Sequence, residues 1–383
     1  MRAGVTLYFQ NYGDWDRFEA AERGESVPGR PAVPDAQIWR EDLRIGGLVE
    51  ELGFDSLWTV EHHVSPYTMI TNPLQLLAYF AGATERIDLG TMVVVLPWHH
   101  PLRVAEDLVL LQNVLGEGRR PIVGLGRGAG RREFKGLDME MSESRTRFDE
   151  AVEVIKLALT EDRFSFKGEH WTFEDVELRP KPRDASEILE NLFCAWGSPG
   201  TVPIAAQAGL KPMIIPQKGW DDYHAEMEQF ATVRADSGYE PAQPILVMCT
   251  YCAETEEAAR AGAERWMPEY GDSALRNYEL AGDHFGRTRG YEHYAAQSSA
   301  LRADRAAVGR VYVENHVWGT PEQCLAKIET LARQFHPGEF VFMMRYGGMP
   351  ADAAERSMRL FAKEVLPGVH AIPVEAPLLY SAR

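Results

Sequence analysis

Short apolar runs alternate along the chain with longer amphipathic segments. Eight of these runs are rich in Val, Ile, Phe and Tyr, and they predict β-strands at residues 4–9, 55–61, 88–96, 121–126, 190–196, 211–216, 244–252 and 339–345. Two of the helical segments between them are QIWREDLRIGGLVEELG, which Gly53 should end, and SRTRFDEAVEVIKLALT, which Ser144 or Thr146 should cap. Strands and helices that alternate in this way predict an α/β fold, a (β/α)8 TIM barrel.

An open, doubly wound sheet would show a similar alternation. That fold usually has fewer strands, and it carries a phosphate-binding glycine turn directly after its first strand. Here the first strand is followed by NYGDWDRFEAAERGESVPGRPAVPD, which contains no such turn. The barrel is therefore the better prediction.

Two segments are longer than ordinary barrel connections and should be insertions at the carboxyl-terminal face. The segment at 162–189 contains FKGEHWTFEDVELRPKPRD, which is typical of a small hairpin with a proline-rich exit. The segment at 271–318 is rich in charged and aromatic residues, which favours a lid over a binding loop or disorder. We find no repeat or linker, so we expect a single domain over residues 1–383.

The charge of the chain narrows the range of partners. Its 383 residues include 57 acidic and 40 basic residues, giving a formal net charge of −17. This balance argues against nucleic acid and against an anionic membrane, and it favours a small-molecule substrate. The N-terminal sequence MRAGVTLYFQNYGDW lacks the apolar run of a signal peptide, so we expect a cytoplasmic protein.

Polar side chains follow three neighbouring predicted strands, at the end of a barrel where reacting groups collect. They are Glu61, His62 and His63 after strand two, His99 and His100 after strand three, and Arg127 after strand four. Imidazoles on adjacent strands could bind a metal together with Glu61 or Asp107. However, neighbouring residues on an extended strand point to opposite faces, so His62 and His63 cannot both face one ion without a bend. We therefore expect no metal.

Two features indicate an anion site. Arg127 lies in GLGRGAG, where its guanidinium could grip a phosphate, while the glycines either form a nucleotide loop or relieve a crowded strand end. Further along, WGSPGTVPIAAQAG places Ser198 and Thr201 at the start of a helix, where they either bind an anion or cap the helix.

Several linked segments, in the right order, resemble the bacterial luciferase-like flavin monooxygenases. They are GFDSLWTVEHH, NPLQLLAYFAGATERIDLGTMVVVLPWHHPLRVAEDLVLLQ, GRGAGRREFKGLDMEMSESR and TRGY. The resemblance is almost continuous over residues 46–150, returns at 192–216 and is fainter over 286–365. It implies a (β/α)8 barrel that binds reduced FMN at the carboxyl ends of its strands.

The resemblance also implies roles for particular residues. His62 falls on the family's catalytic histidine, and Arg127, Ser198 and Thr201 fall on residues that bind the FMN phosphate. The peptide bond between Met92 and Val93 should be cis, with both residues against the flavin.

Two further positions, Glu61 and Gly197, also bear on the site. Glu61, also expected near the flavin, should either orient a ring or accept a hydrogen bond from a backbone amide. The sequence departs from the luciferases at Gly197, where they have a glutamate, which puts the details of the phosphate site in doubt.

The function implied is a two-component monooxygenase. Reduced FMN would react with O2 to form a C4a-peroxide, which would oxygenate a small apolar organic substrate while His62 moves protons. No NAD(P)H-binding motif is present, so a separate flavin reductase should supply the reduced flavin. The family commonly dimerises, and the helices PLQLLAYFAGA and RVAEDLVLLQNVL are apolar enough to form a homodimer.

Other functions compete with this one. A deazaflavin-dependent oxidoreductase would use the same barrel, although GTMVVVLPWHHP is more similar to the FMN branch. A non-catalytic flavin-binding subunit would have no need of His62, and a metal-dependent hydrolase would lose activity to a chelator. Hydroxylation, Baeyer–Villiger insertion and aldehyde oxidation all stay open, as does the identity of the substrate.

Overall fold

Eight parallel strands close into a barrel in the computed structural model, which describes residues 1–379 apart from the side chains of Ala296 and Gln297. Around the barrel the strands follow the order β1, β2, β3, β4, β7, β8, β9 and β11, and pairing between β8 and β9 closes the ring. All eight predicted strands are confirmed. The strands are β1 (Arg2–Leu7), β2 (Ser56–Thr59), β3 (Asp88–Val95), β4 (Pro121–Gly126), β5 (Phe164–Lys167), β6 (Thr172–Val176), β7 (Leu192–Ala195), β8 (Lys211–Ile214), β9 (Ile245–Cys252), β10 (Val317–Gly319) and β11 (Glu339–Met343).

Helices cover the outside of the barrel, and two more form the segment before β10. In the part of the chain that is described, none of them is both long and apolar enough to cross a membrane. They are α1 (Trp15–Glu22), α2 (Asp35–Glu51), α3 (Pro73–Ala83), α4 (Pro101–Leu115), α5 (Arg131–Gly136), α6 (Ser144–Thr160), α7 (Ala185–Leu189), α8 (Val202–Gln207), α9 (Trp220–Asp236), α10 (Glu256–Asn277), α11 (Glu292–Ala303), α12 (Ala306–Asn315), α13 (Pro321–Phe335), α14 (Ala351–Glu364) and α15 (Leu366–Ala371).

The barrel strands are mostly apolar and almost wholly buried because helices cover one face and the barrel core covers the other. Every residue of β2, β4 and β11 is buried. Close packing requires glycine at two positions inside. A Cβ atom at Gly90 would overlap the indole of Trp58, and one at Gly126 would overlap Val93. Relief of a crowded strand end is therefore the correct interpretation of Gly126.

Of the two predicted helix boundaries, one is confirmed and the other is wrong. Helix α2 ends just before Gly53, whose φ of 89° suits a residue without a Cβ, as expected. The predicted cap of α6 is wrong, because the helix begins at Ser144 and no side chain caps it. The Ser144 hydroxyl instead accepts a hydrogen bond from Tyr291, and Thr146 donates to the Glu143 carbonyl.

The two long insertions differ in structure. The segment at 162–189 contains the antiparallel hairpin β5–β6. Residues 271–277 are the end of helix α10, and the rest of the segment to 318 forms α11, α12 and the start of β10, which pairs with β9. The sequence did not predict these elements, and β10, with three residues, is too short to show an alternating strand pattern.

Candidate active site

All seven residues predicted to form the site line one cavity at the carboxyl ends of the strands. The bond between Met92 and Val93 is cis, as the resemblance implied. A more open groove of about 970 Å³ lies along α10 and α12, but it contains none of these strand-end residues. The seven residues are Glu61, His62, Met92, Val93, Arg127, Ser198 and Thr201.

His62 is held between a carboxylate and a phenol. It lies in the loop after β2 and is 9% exposed. Its Nδ1 is 2.8 Å from Oε1 of the buried Glu133, and its Nε2 is 3.2 Å from the Tyr278 hydroxyl. Because the carboxylate only accepts, Nδ1 carries the proton and Nε2 presents its lone pair.

Two further contacts fix this arrangement. Oε1 of Glu133 also accepts from the backbone N–H of His63, at 2.9 Å. Burial and the nearby Glu133 charge raise the pKa of Tyr278 well above its ordinary value, so that this phenol stays protonated and donates to His62. The imidazole is therefore positioned to exchange a proton at Nε2.

Glu61 does not touch His62 through its carboxylate. It orients two other rings and satisfies an amide, so both expected roles are present. Its Oε1 is 3.0 Å from Nε2 of His63 and 2.6 Å from Nε2 of His99, and its Oε2 accepts from the N–H of Val95 at 2.7 Å. These contacts join the loop after β2 to the end of β3. Among residues 1–379, no group of three or more His, Cys, Asp or Glu is arranged to hold a metal ion.

The Glu61 pair with His99 is a charged one. Burial alone would raise the pKa of Glu61, but the hydrogen bonds from His63 and His99 outweigh it and lower that pKa. Burial alone would lower the pKa of His99, but the hydrogen bond and charge of Glu61 outweigh it and raise that pKa. Both groups are therefore ionised over a wider pH range than either would be alone.

Arg127 directly follows β4 and is covered by the segment after α10. Its Nη2 donates to the carbonyl of Gly290 at 2.9 Å, and its Cζ lies 4.0 Å from the ring centre of Tyr291. The Tyr291 hydroxyl donates to the carbonyl of Gly128 at 2.6 Å. The guanidinium thus already binds a carbonyl oxygen and an aromatic face.

A second arginine supports the same side of the cavity. Nη2 of Arg145 donates to Oγ1 of Thr201 at 2.9 Å, and Oγ of Ser198 is 3.0 Å from that same atom. Neither hydroxyl caps a helix, so the capping interpretation is wrong. Nη1 of Arg145 is buried and has no hydrogen-bond partner in the described part of the chain. Burial and the nearby Arg127 charge lower the pKa of Arg145.

Sequence reasoning missed four of these residues. Glu133 and Arg145 both lie in the motif GRGAGRREFKGLDMEMSESR, so the resemblance could have drawn attention to them. Tyr278 and Tyr291 follow α10 and reach the cavity only through the fold of the long insertion.

The departure at Gly197 has a steric explanation. A Cβ atom there would lie 2.6 Å from the Tyr294 hydroxyl, which lines the same cavity. Burial raises the pKa of Tyr294 to about 12, so this phenol is neutral. The chain therefore places an uncharged hydroxyl beside position 197, where the luciferases carry a glutamate.

The Glu61–His99 pair predicts a pH-dependent stability. The raised pKa of His99 gives stability that is complete below its ordinary value of 6.5 and is lost as the pH rises through the raised value. The lowered pKa of Glu61 gives stability that is complete above 4.5 and is lost as the pH falls through the lowered value. In a double-mutant cycle of Glu61→Gln and His99→Gln, the coupling free energy measured by urea unfolding should be largest between pH 4.5 and pH 6.5. A coupling that does not vary with pH would contradict the ion pair.

Comparisons with known proteins show the family to which the chain belongs. The sequence model of the family described as luciferase-like monooxygenase matches residues 23–335. The chain is 30% identical to limonene 1,2-monooxygenase of Rhodococcus erythropolis, over 89% of this chain and 84% of that protein. It is 27% identical to the alkanal monooxygenase alpha chain of Photorhabdus luminescens, over 88% and 93% of the two chains. The crystal structure of monooxygenase RslO1 from Streptomyces bottropensis superposes with a TM-score of 0.71 at 25% identity, covering 96% of this chain and all of that one. The chain belongs to the luciferase-like monooxygenase family and is an enzyme of this kind.

Proposed function

We propose that the protein is a two-component FMN-dependent monooxygenase. One atom of O2 enters a small apolar organic substrate, the other leaves as water, and reduced FMN supplies the two electrons and becomes oxidised. The observation that carries the proposal is that His62 lines the same cavity as Arg127, Ser198 and Thr201, which together could bind an anion. The relatives named above, a limonene 1,2-monooxygenase and an alkanal monooxygenase alpha chain, are monooxygenases by name, which supports the proposed type of reaction.

The arginine side of the cavity fits the FMN phosphate. A phosphate monoester carries up to two negative charges and several acceptor oxygens, which two guanidinium groups and two hydroxyls complement. Arg127 and Arg145 would supply the charge, and Ser198 and Thr201 the hydroxyl donors. Nη1 of Arg145 lies 3.7 Å from Oδ1 of Asp149 and makes no hydrogen bond in the described part of the chain, so a phosphate oxygen could serve as a closer acceptor.

Bound reduced FMN supplies the electrons and the site at which O2 reacts. Residues of the chain itself would transfer protons and exclude water. His62 would give or take a proton at Nε2, Glu133 would hold the ring in its tautomer, and the Tyr278 hydroxyl, which stays protonated, would orient the ring by donating a hydrogen bond to it. Met92 and Val93 present apolar surface that excludes water from the cavity.

The cofactor can be identified directly. Oxidised FMN, reduced FMN and a reduced deazaflavin are titrated separately into the protein while oxygen uptake is followed. Tight binding of reduced FMN with oxygen uptake supports the proposal. Preference for the deazaflavin without oxygen uptake would instead identify an oxidoreductase that transfers hydride.

The reduced flavin comes, in this proposal, from a separate flavin reductase in the cytoplasm. All four cysteines are buried and free, which fits a reducing compartment. The protein would act as a homodimer through α3 and α4, which pack against each other. Their outer surface exposes Tyr79 at 55%, Leu110 at 48% and Val114 at 50%, and such neighbouring apolar side chains favour an interface.

The long insertion would act as a lid over residues 278–295. The cavity is about 150 Å³, which is smaller than the roughly 300–1,000 Å³ of sites for organic ligands. Gly290 and Tyr291 both contact Arg127, so this segment has to move before a phosphate can reach the guanidinium. Closure over bound flavin would then exclude water.

The phosphate site predicts how FMN affinity depends on the arginines. Arg127→Ala or Arg145→Ala should weaken FMN binding by about 1.5–3 kcal/mol, because a charge-assisted contact is lost. Riboflavin, which has no phosphate, should bind each variant as it binds the native protein. Arg147→Ala is the control, since Arg147 lies on helix α6 with Arg145 but pairs with Glu143. Equal native affinity for FMN and riboflavin would contradict the site.

The role of His62 predicts uncoupled turnover in His62→Ala. FMN should bind nearly as well, since most binding contacts lie on the arginine side, whereas product formation should fall about 10²- to 10⁴-fold. Oxidation of NAD(P)H by an added reductase should continue and yield hydrogen peroxide. His63→Ala should have a much smaller effect, because that ring bonds to Glu61. Native product yield per reduced flavin in His62→Ala would refute the role.

The lid predicts protection from trypsin. Arg287 and Arg289 are exposed in the segment, and cleavage there should be slower when FMN is bound. Arg163, in the distant β5–β6 hairpin, should be cut at the same rate in both states. Equal rates at Arg287 with and without FMN would count against the lid.

The dimer predicts that charge on α4 will separate the subunits. Leu110→Glu combined with Val114→Glu should convert dimers to monomers in sedimentation experiments, because the two changes place unpaired like charges at the interface. Val33→Glu, at an exposed position before α2, should leave the assembly unchanged. A monomeric native protein would disprove this part of the proposal.

A further inference from the structure

A tyrosine of the long insertion brings its hydroxyl group to the arginine side of the cavity. Tyr294 lies in the first turn of α11, and its side chain lines the same cavity as Arg127, Ser198 and Thr201. A Cβ atom added to Gly197 would lie only 2.6 Å from the Tyr294 hydroxyl. Since Gly197 directly precedes Ser198, the phenol reaches the place at which the barrel supplies its own hydroxyl donors.

The Tyr294 hydroxyl carries a proton that it can donate. Burial raises the pKa of Tyr294 to about 12, although the nearby charge of Arg127 lowers it, so the phenol stays protonated at neutral pH. In the described part of the chain, Tyr294 makes hydrogen bonds through its backbone groups, among them those to Tyr291 and Ser298, and its hydroxyl makes none. A phenol of this kind in a cavity wall can donate to an acceptor oxygen of a ligand.

The charges around this hydroxyl favour an anionic ligand. One carboxylate is close enough to raise the pKa of Tyr294, that of Glu226. It is already paired, because its Oε1 contacts Nζ of Lys218 and its Oε2 accepts a hydrogen bond from Nε1 of Trp196 at 3.0 Å. The Arg127 guanidinium instead donates to a neutral backbone carbonyl group. The positive charge of Arg127 is thus not compensated by Glu226 and favours an anion beside Tyr294.

Tyr294 belongs to the same segment that covers Arg127. Its ring centre lies 6.2 Å from that of Tyr291, which packs over the guanidinium, and 5.1 Å from that of Phe285. Phe285 is fully buried, so Tyr294 is packed firmly against the rest of the insertion. An anion that accepts a hydrogen bond from Tyr294 would therefore contact the insertion and the barrel at once, and would stabilise the insertion in its position over the cavity.

We propose that the Tyr294 hydroxyl donates a hydrogen bond to the phosphate of the bound flavin, and that this bond holds the long insertion closed over the cavity. The inference rests on the proposed function, because it adds a ligand to the phosphate site of the same cavity. A neutral phenol donates to a phosphate oxygen, whereas a carboxylate at the same place would only accept hydrogen bonds and would repel the anion. Gly197, where the luciferases carry a glutamate, leaves the space that this donor occupies.

The affinities for FMN and riboflavin test the hydrogen bond. Tyr294→Phe keeps the ring and should weaken FMN binding about 10- to 100-fold, because a hydrogen bond to a charged group is lost. Riboflavin, which has no phosphate, should bind the variant as it binds the native protein, and this result also shows that the variant is folded. Tyr312→Phe is the matched control and should change neither affinity, since Tyr312 is a buried tyrosine of the same insertion that does not line the cavity.

Position 197 supplies a second variant. In Gly197→Ala the new methyl group would lie 2.6 Å from the Tyr294 hydroxyl and should displace it, so FMN binding should weaken. In the Tyr294→Phe background the ring carbon that carried the hydroxyl lies 3.7 Å from this methyl group, which is an ordinary contact. Gly197→Ala should then have no further effect on FMN affinity. Equal effects of Gly197→Ala in the two backgrounds would contradict the inference.

Inorganic phosphate tests closure of the insertion without the flavin. Added phosphate, but not chloride at the same ionic strength, should slow tryptic cleavage at the exposed Arg287 in the native protein and in Tyr312→Phe. In Tyr294→Phe phosphate should give no such protection. Cleavage at Arg163, in the β5–β6 hairpin, reports any effect of phosphate on trypsin itself.

The outcomes distinguish this inference from the proposed function. A Tyr294→Phe variant that keeps the native preference for FMN over riboflavin would overturn the inference, and so would phosphate that leaves cleavage of the native protein unchanged. Equal affinity of the native protein for FMN and riboflavin would overturn the phosphate site and the inference together. Tight binding of reduced FMN without oxygen uptake would refute only the proposed function, since the same titrations still decide the role of Tyr294.

Discussion

Pairing between β8 and β9 closes the barrel, and every feature of the site depends on that closure. An open sheet would leave the ends of the strands in a row. The ring instead brings all eight ends around one cavity, so residues far apart in the chain come within hydrogen-bond distance. His62 meets Glu133 across 71 positions, and Arg127 meets Gly290 across 163. The arrangement of the site residues therefore depends on the topology of the barrel more than on any single sequence motif.

Closure of the barrel also limits the size of the side chains that fit inside it. The end of β4 approaches β3 so closely that position 126 has room only for glycine, with Val93 filling the space that a side chain would take. Position 197 shows the same constraint at the cavity, where the Tyr294 hydroxyl occupies the place of a side chain. Small residues next to large ones thus set the shape of the site as much as the polar groups do.

The sequence alone predicted the strands well because parallel strands covered on both faces are continuous apolar runs, as in β4 and β11. It also located Arg127 and His62, since polar residues directly after such runs have to lie at the barrel mouth. It could not place Glu133 or Arg145, because a residue on a helix reaches the site only through how that helix packs. Tyr278 depends in turn on the insertion, whose short polar elements give no periodic signal.

The two ends of the cavity carry opposite charge, and this separation makes one small site able to hold two different functions. Burial and, after it, the charge of Arg127 lower the pKa of Arg145, so an anion bound near both guanidinium groups would also relieve repulsion. At the other end Glu133 is buried, its Oε1 accepts hydrogen bonds from Nδ1 of His62 and the N–H of His63, and its Oε2 has no partner in the described chain. A proton taken up by that imidazole would be stabilised by Glu133 and would lie apart from the arginines. The barrel thereby keeps anion binding and proton transfer from opposing each other electrostatically.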